Sequence, residues 1–289
     1  MDNLAPLIAF ANAHRRLLVL TGAGCSTAAG IPDYRDADGQ WKRSEPMRFQ
    51  LFVADVLARK RYWARSMIGW RTMSQARPAV AHHALARLES ADRVSLLVTQ
   101  NVDGLHSAAG SRQVIDLHGR IDTVCCLHCG ECTPRADLQA ALFRANPGWA
   151  ALQANVAPDG DADLENRDFA QFDVPPCSTC GGVLKPDVVF FGESVPRERV
   201  AAVRAALALS DALLVAGSSL MVYSGYRFVE EAVAAGKPVA VVNQGRTRAD
   251  AVLTLKTDHE VGAALEALAN QLATTPSAAH CNAGLLAAG

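Results

Sequence analysis

The stretch Thr21-Gly-Ala-Gly-Cys-Ser-Thr-Ala-Ala-Gly-Ile-Pro-Asp-Tyr-Arg35 follows the apolar run 16–20, and its reading decides the fold. An apolar strand that empties into a glycine-rich turn is how a nucleotide-binding α/β unit begins. In the usual dinucleotide fingerprint a third glycine stands three residues after the second and opens a helix. Here that position is Thr27, and the next glycine is Gly30. Gly22 and Gly24 can still admit a pyrophosphate, because residues without Cβ let backbone N–H groups approach it closely. The acid expected about 20 residues after the loop, at the end of a second strand, has no clear counterpart: Asp36, Asp38 and Glu45 fall in a polar segment. The loop is therefore a phosphate loop of an unusual kind, and an ordinary hydride-transfer dehydrogenase is disfavoured.

Working outward, residues 4–14 carry Leu4, Leu7, Ile8 and Ala11 at helical spacing. Strand-like apolar runs follow at 16–20, 93–98, 114–117, 212–216, 238–242 and 252–255. Several are apolar throughout rather than alternating, as in a parallel sheet covered on both faces. Helices are expected near 60–73, 79–90, 197–209, 225–235 and 260–271, so the fold class is α/β with a doubly wound parallel sheet. Residues 36–78 (polar, Arg-rich, helix-prone) and 120–185 (cysteine-rich) break this rhythm. The small-residue-rich tail 273–289 is expected to be disordered.

The chain has 289 residues, half of them hydrophobic, enough to bury a full core. A formal net charge of −1 gives no footprint for nucleic acid. No apolar stretch approaches the roughly 20 residues of a membrane helix. The start Met1-Asp-Asn-Leu-Ala-Pro resembles neither a signal peptide nor an Arg-rich presequence, so the expected location is the cytoplasm.

Six of the eight cysteines lie between 125 and 180. This clustering reads as metal binding in a reducing compartment rather than a disulfide framework. Cys126-Leu-His-Cys129 and Cys177-Ser-Thr-Cys180 form two C-x-x-C pairs with 47 residues (130–176) between them. Four thiolates would close a structural Zn²⁺ site with no open position for chemistry. Cys129-Gly-Glu-Cys132 competes for the same role. Cys126 and Cys129 are preferred because Gly130 follows Cys129 as Gly181 follows Cys180, and a metal knuckle needs a residue tolerant of positive φ there. A helix over 136–145 and a loop around 157–168 would fill the gap, with His128 exposed between ligands.

Three further segments stand at the exits of apolar runs: Thr99-Gln-Asn-Val-Asp-Gly-Leu-His106, Leu117-His118-Gly119 and Gly217-Ser-Ser-Leu220. With the loop at 21–35 and the cysteine pairs, they resemble the sirtuins, NAD-dependent protein deacylases, over about 17–268. Arg61-Tyr-Trp-Ala-Arg65, Ala157-Pro-Asp-Gly160 and Lys185-Pro-Asp-Val-Val-Phe-Phe-Gly-Glu193 resemble class II sirtuins, notably the mitochondrial lipoamidase and ADP-ribosyltransferase type and its bacterial relatives.

The resemblance implies a discontinuous Rossmann-like NAD domain (1–35, 79–119 and 186–272) and a small domain built from a helical part (36–78) and a zinc-binding part (120–185). It implies NAD consumed as co-substrate, contacted by Gly22, Ala23, Gly24, Ser26, Pro32, Asp33, Tyr34 and Arg35. Gln100, Asn101, Val102 and Asp103 would serve the nicotinamide end, and Gly217, Ser218, Ser219, Asn243, Gln244, Gly245 and Val261 the phosphates and adenosine. Asp103 would take the carboxamide and Asn101 a ribose or water, although either could also cap a helix over 102–109. His118 would be the general base, its ordinary pKa of about 6.5 suiting it to that task, while His106 would be structural, as would His14, His82, His83, His259 and His280. Cys25 would be oxidation-sensitive if its thiolate were favoured.

The implied reaction is attack of an acyl-lysine oxygen on C1′ of the nicotinamide ribose, releasing nicotinamide. Transfer of the acyl group to a ribose hydroxyl follows, with lysine freed and O-acyl-ADP-ribose formed. The partners are acyl-lysine proteins. Val189, Phe190, Phe191, Gly192 and Glu193 would pair with an extended peptide. Tyr62 and Arg65, three apart on a helix, would grip an acidic acyl chain. Protein mono-ADP-ribosylation and non-catalytic NAD sensing are the alternatives.

Overall fold

The computed structural model describes residues 4–42, 46–152, 164 and 167–272. The expected tail and most of the 157–168 loop lie outside them. In chain order the helices are α1 (Ala5–Ala13), α2 (Phe49–Ala54), α3 (Val56–Met73), α4 (Val80–Ser90), α5 (Leu105–Ala108), α6 (Arg135–Ala145), α7 (Pro147–Ala150), α8 (Arg197–Leu209), α9 (Tyr223–Ala234) and α10 (Val261–Leu272). The strands are β1 (Leu17–Thr21), β2 (Val94–Thr99), β3 (Val114–Asp116), β4 (Gly119–Cys126), β5 (Cys132–Pro134), β6 (Leu184–Val188), β7 (Ala212–Ala216), β8 (Val239–Val242) and β9 (Leu255–Thr257).

Six parallel strands form one sheet in the order β3-β2-β1-β7-β8-β9. Its central strands are apolar throughout because both faces are covered. Along β1 the side chains alternate: Leu17 and Val19 join a core with Leu85, Leu88, Leu265 and Leu268 from α4 and α10. Leu18 and Leu20 join another with Val203, Leu207, Phe228 and Val229 from α8 and α9. The chain leaves β1 for β2 on one side and returns to β7 on the other, so the β1/β7 junction is the switch point where open α/β sheets bind ligands.

A second, antiparallel sheet has the order β5-β4-β6. It packs with α2, α3 and α6 around Phe52, Tyr62, Trp63, Met67, Val124, Leu142, Phe172 and Phe190. The Asp55 carboxylate starts α3, accepting the N–H groups of Leu57 (2.7 Å) and Ala58 (3.1 Å) as an N-cap does.

One expected strand needs revision and one strand was not expected. The run 252–255 enters the sheet only at its end, because Val252 N donates to Ala249 O in a turn and Leu255 is the first residue opposite β8. β4 was illegible because its register against β6 shifts between Arg120 and Val124, which breaks the period-2 pattern.

Candidate active site and metal centre

At the switch point the chain after β1 lies directly on the chain after β7. Gly22 N donates to Ala216 O (3.1 Å) and Gly24 N to Gly217 O (2.9 Å). A Cβ on Gly24 would stand 2.8 Å from Gly217 Cα, and one on Gly22 would stand 2.7 Å from Ser218 Cβ. Gly217 has φ +64°, and a Cβ there would meet Cys25 N at 2.7 Å. Glycine is therefore required on both sides of the seam.

The seam opens into a cavity of about 810 Å³. Of the expected site residues, the cavity is lined by Gly22, Ala23, Gly24, Asp33, Tyr34, Arg35, Gln100, Asn101, Val102, His118, Gly217, Ser218, Ser219, Asn243 and Gln244, and from the substrate side by Tyr62 and 189–193. Ser26, Pro32 and Asp103 line a side cavity of about 30 Å³ that also touches Ala23, Gln100, Asn101 and Val102. Gly245, Val261 and Arg65 line neither cavity. Val261 is buried in the core under β1, and Gly245, at φ +80°, turns closely past Ala37.

The polar groups beyond β2 are tied to the seam. Gln100 Nε2 donates to Thr21 O (3.1 Å) and to Ser218 Oγ (2.9 Å), and Asn101 Nδ2 donates to Gly22 O (3.1 Å) and Ser26 Oγ (2.9 Å). Ser26 donates to Asp103 Oδ2 at 2.7 Å, while Asp103 Oδ1 accepts Leu105 N–H at 2.9 Å. Asp103 thus both braces the turn that enters α5, whose N-cap is Gly104, and lines the side cavity. His82, expected to be structural only, reaches this network: its Nδ1 accepts Ala79 N–H at 3.1 Å and its Nε2 lies 3.4 Å from Ser26 Oγ. His106 pairs with Thr21 Oγ1 at 3.0 Å, as a structural residue would.

His118 sits on the backbone between β3 and β4, with Nδ1 2.9 Å from Gln100 O. A carbonyl only accepts, so Nδ1 carries the proton and Nε2 presents the lone pair. Ser224 Oγ lies 2.7 Å from Nε2 and donates to it. Burial pushes the His118 pKa down to about 4; the Gln100 carbonyl opposes this, and the charges of Arg199 and Arg227 add to the lowering. The imidazole is therefore neutral and proton-accepting at neutral pH. Ser224, Arg227 and Arg197 all line the cavity and belong to no motif recognised in the sequence, although Ser224 falls only seven residues past Gly217.

The substrate-side segment is fixed by a partly buried ion pair. Lys185 Nζ lies 3.1 Å from Glu193 Oε2, and that carboxylate also accepts Phe190 N–H at 2.9 Å. Tyr62 is clasped edge-on by Phe52, Trp63 and Phe190.

Cys25 corrects an expectation. It is fully buried, donates to Ala216 O, and burial pushes its thiol up to about 12, so it is a protected thiol and no oxidation sensor.

The sulfurs of Cys126, Cys129, Cys177 and Cys180 all lie within 4.8 Å of one another. Gly130 and Gly181 take φ +75° and +74°, the left-handed turns that the knuckles require. His128 is exposed and its N–H points at Cys126 Sγ (3.4 Å), a donor suited to a metal-bound thiolate. Residues and geometry fit a closed structural Zn²⁺ site. Cys125 and Cys132 depart from the expected all-reduced cluster. They face each other across β4 and β5, with Cα atoms 4.0 Å apart, and form a disulfide. Cys132 is thereby removed from competition for the metal.

Comparison with known proteins agrees with this geometry. A model of the Sir2 family matches residues 22–224. An NAD-dependent protein deacetylase of Bordetella bronchiseptica is 63% identical over 256 residues, covering 89% of this chain and 93% of that protein. NAD-dependent protein deacetylase 2 of Bradyrhizobium diazoefficiens is 61% identical over 256 residues, covering 89% and 94%. A solved structure of a Sir2 protein with a p53 peptide and NAD⁺ superposes with a TM-score of 0.73 at 27% identity, covering 93% of this chain and 97% of that one.

Serine at Cys126, Cys129, Cys177 or Cys180 should release zinc and loosen the antiparallel sheet, because metal binding and folding are coupled. Cys132→Ser should keep the metal; elemental analysis of the purified variants reads both. A pH dependence follows from the buried histidines. Burial lowers the pKa of His82, takes His106 to about 3 and His118 to about 4, each below the ordinary 6.5. Between about 4 and 6.5 the unfolded chain binds more protons at these positions. Their contribution to stability is therefore complete above 6.5 and declines as pH falls. Urea midpoints at pH 7.5, 6 and 5 should fall in that order, less steeply in His106→Gln.

Proposed function

The chain belongs to the Sir2 family, and on that premise we propose that it is an NAD-dependent protein deacetylase, an enzyme that removes acyl groups from lysine side chains of proteins. The observation that carries the reading is the neutral His118, its Nε2 accepting the Ser224 hydroxyl among residues that line the same cavity as the glycine seam. Mere NAD sensing needs no such base.

NAD, when bound, supplies the ribose carbon that the acyl oxygen attacks, with nicotinamide as leaving group and ADP-ribose as acyl acceptor. Ala23, Ser218 and Ser219 would hold the diphosphate through backbone N–H groups and hydroxyls, while Gly22, Gly24 and Gly217, whose N–H groups bond to Ala216, Gly217 and Val242 carbonyls, would admit it by lacking a Cβ. Asn243 and Gln244 lie where β8 ends and would hold the adenosine ribose. Gly245 and Val261, outside the cavity lining, would support that end from behind. Asn101 and Asp103, locked through Ser26, would orient the nicotinamide end. His118 Nε2 would take the proton of a ribose hydroxyl once the Ser224 hydroxyl, 2.7 Å away, no longer donates to it. The Gln100 carbonyl fixes the imidazole tautomer beforehand, so the Ser224 hydroxyl is the group that has to move.

The segment 189–193, held by the Lys185–Glu193 pair, would form backbone hydrogen bonds with an extended acyl-lysine peptide. Residues 1–35, 79–119 and 186–272 act as the nucleotide domain and 36–78 with 120–185 as the small domain, the peptide entering between them. Among the described residues no helix is long and apolar enough to cross a membrane. We place the enzyme in the cytoplasm, with the four metal-centre thiols reduced although Cys125 and Cys132 are paired.

The acyl group would lie against the Tyr62 ring. A carboxylated chain must also reach Arg65, one turn along α3 and outside the cavity lining. Incubation of the enzyme and NAD with acetyl- and succinyl-lysine peptides should yield nicotinamide, free lysine and O-acyl-ADP-ribose by mass spectrometry. Preference for succinyl, lost in Arg65→Met, would assign that role to Arg65. Loss of the general base is typically worth about 10²–10⁴-fold, so His118→Ala should lower turnover at least that far while NAD still binds. An ADP-ribosylated protein in place of O-acyl-ADP-ribose would favour the transferase alternative, and normal turnover by His118→Ala would contradict the mechanism.

A further inference from the structure

The charges lining the active-site cavity do not balance. Its acids are all engaged: Asp33 with Lys42 at 2.5 Å, Asp36 with the N–H groups of Asp38 and Gln40, and Glu193 with Lys185 at 3.1 Å. Two of its cations are not. Arg197 opens α8 just after the substrate-side segment, and Arg227 lies in the first turns of α9 just after the β7 loop, so they approach the cavity from its two flanks. Neither makes a hydrogen bond or ion pair among the described residues, whereas nearby Arg199 pairs with Asp187 (3.4 Å) and Arg204 with Glu231 (2.6 Å).

Arg227 is also held in place. Its guanidinium stands 5.3 Å from the centre of the Tyr223 ring, and Arg248 stands 5.7 Å from the same ring and 4.4 Å from Tyr226. Its Nε is buried without a partner. Such stacking fixes a planar fork without using its terminal N–H donors. The charge reaches the reacting centre, since it is among the causes that lower the His118 pKa. The lining holds Arg35, Lys42, Arg197 and Arg227 against Asp33, Asp36 and Glu193, an excess of positive charge on a chain whose formal net charge is −1.

We infer that Arg227, assisted by Arg197, forms a carboxylate subsite that recognises an acidic group on the acyl-lysine substrate. The inference rests on the deacetylase reading and adds a substrate preference to it. A guanidinium fork matches a carboxylate in shape and donors. The carboxylate has two possible sources, an Asp or Glu beside the acyl-lysine or the free end of a dicarboxylic acyl chain, and the experiment separates them.

Steady-state kcat/KM is measured for three peptides: acetyl-lysine flanked by Glu, acetyl-lysine flanked by Gln, and succinyl-lysine flanked by Gln. Because the two acetyl peptides share the same chemistry, their ratio cancels any change that Arg227→Gln makes in His118. That ratio should favour Glu in the wild type and fall roughly three- to tenfold in Arg227→Gln, the range of a partly solvated charged hydrogen bond. It should fall less in Arg197→Gln and be partly kept in Arg227→Lys. If the succinyl-to-acetyl ratio falls instead, the subsite stands and the acyl chain supplies the carboxylate. If neither ratio moves in either Gln variant, or Arg227→Gln raises only the KM for NAD, the subsite is overturned. Fluorescence anisotropy of the same peptides reads the preference without turnover. Arg227-dependent tighter binding of the acidic peptide by an enzyme that deacylates nothing would keep the subsite and refute the deacetylase reading.

Discussion

The close backbone contact between the loops after β1 and β7 is the constraint on which the rest of the site depends. Gly24 and Gly217 approach so nearly that a single Cβ on either would overlap the opposite main chain. Neighbouring parallel strands leave their N–H groups and carbonyls at a common edge, and only glycine lets two such loops meet and bond to each other there. Each polar group of the candidate site is then referred back to this seam: Asn101 to Gly22 O, Gln100 to Thr21 O, and His118 to Gln100 O. The position of His118 relative to the glycine seam is thus transmitted through two hydrogen bonds to backbone carbonyls, which are stiffer references than side chains.

The start of α9 completes the arrangement from the other side. Gly225 lies so close to Gln100 that a Cβ would stand 2.4 Å from its Oε1, and Ser224, one residue earlier, reaches His118. One helical turn therefore supports the residue that orients the base and also supplies a hydroxyl to the base itself. Burial and two nearby arginines keep the imidazole neutral, so the environment selects the protonation state and the Gln100 carbonyl selects the tautomer.

Much of this was legible because it is local. The glycine loop, the apolar strands buried on both faces and the two Cys-x-x-Cys knuckles each declare their geometry within a few residues, and Gly130 and Gly181 adopt the positive φ that their places in the sequence imply. What was not legible depends on contacts between distant segments. Cys125 and Cys132 pair because β4 and β5 bring them opposite each other, while the register shift in β4 hid that strand. Cys25 is inert through burial, which composition cannot report. Ser224, Arg197 and Arg227 carry no motif and acquire meaning only from the cavity that they share. Val261 shows the converse: a residue assigned by resemblance to the adenine site faces the core.

The central claim is that the glycine seam is the NAD site, and a thermal shift measurement on Gly24→Ala tests it most directly. A ligand that binds only the folded chain stabilises it by about 2.7 kcal/mol at a hundred times its dissociation constant. The wild-type midpoint should therefore rise steadily with NAD concentration. The added methyl, 2.8 Å from Gly217 Cα, should leave a folded protein whose midpoint no longer responds to NAD. An equal rise in the variant and the wild type would contradict the account.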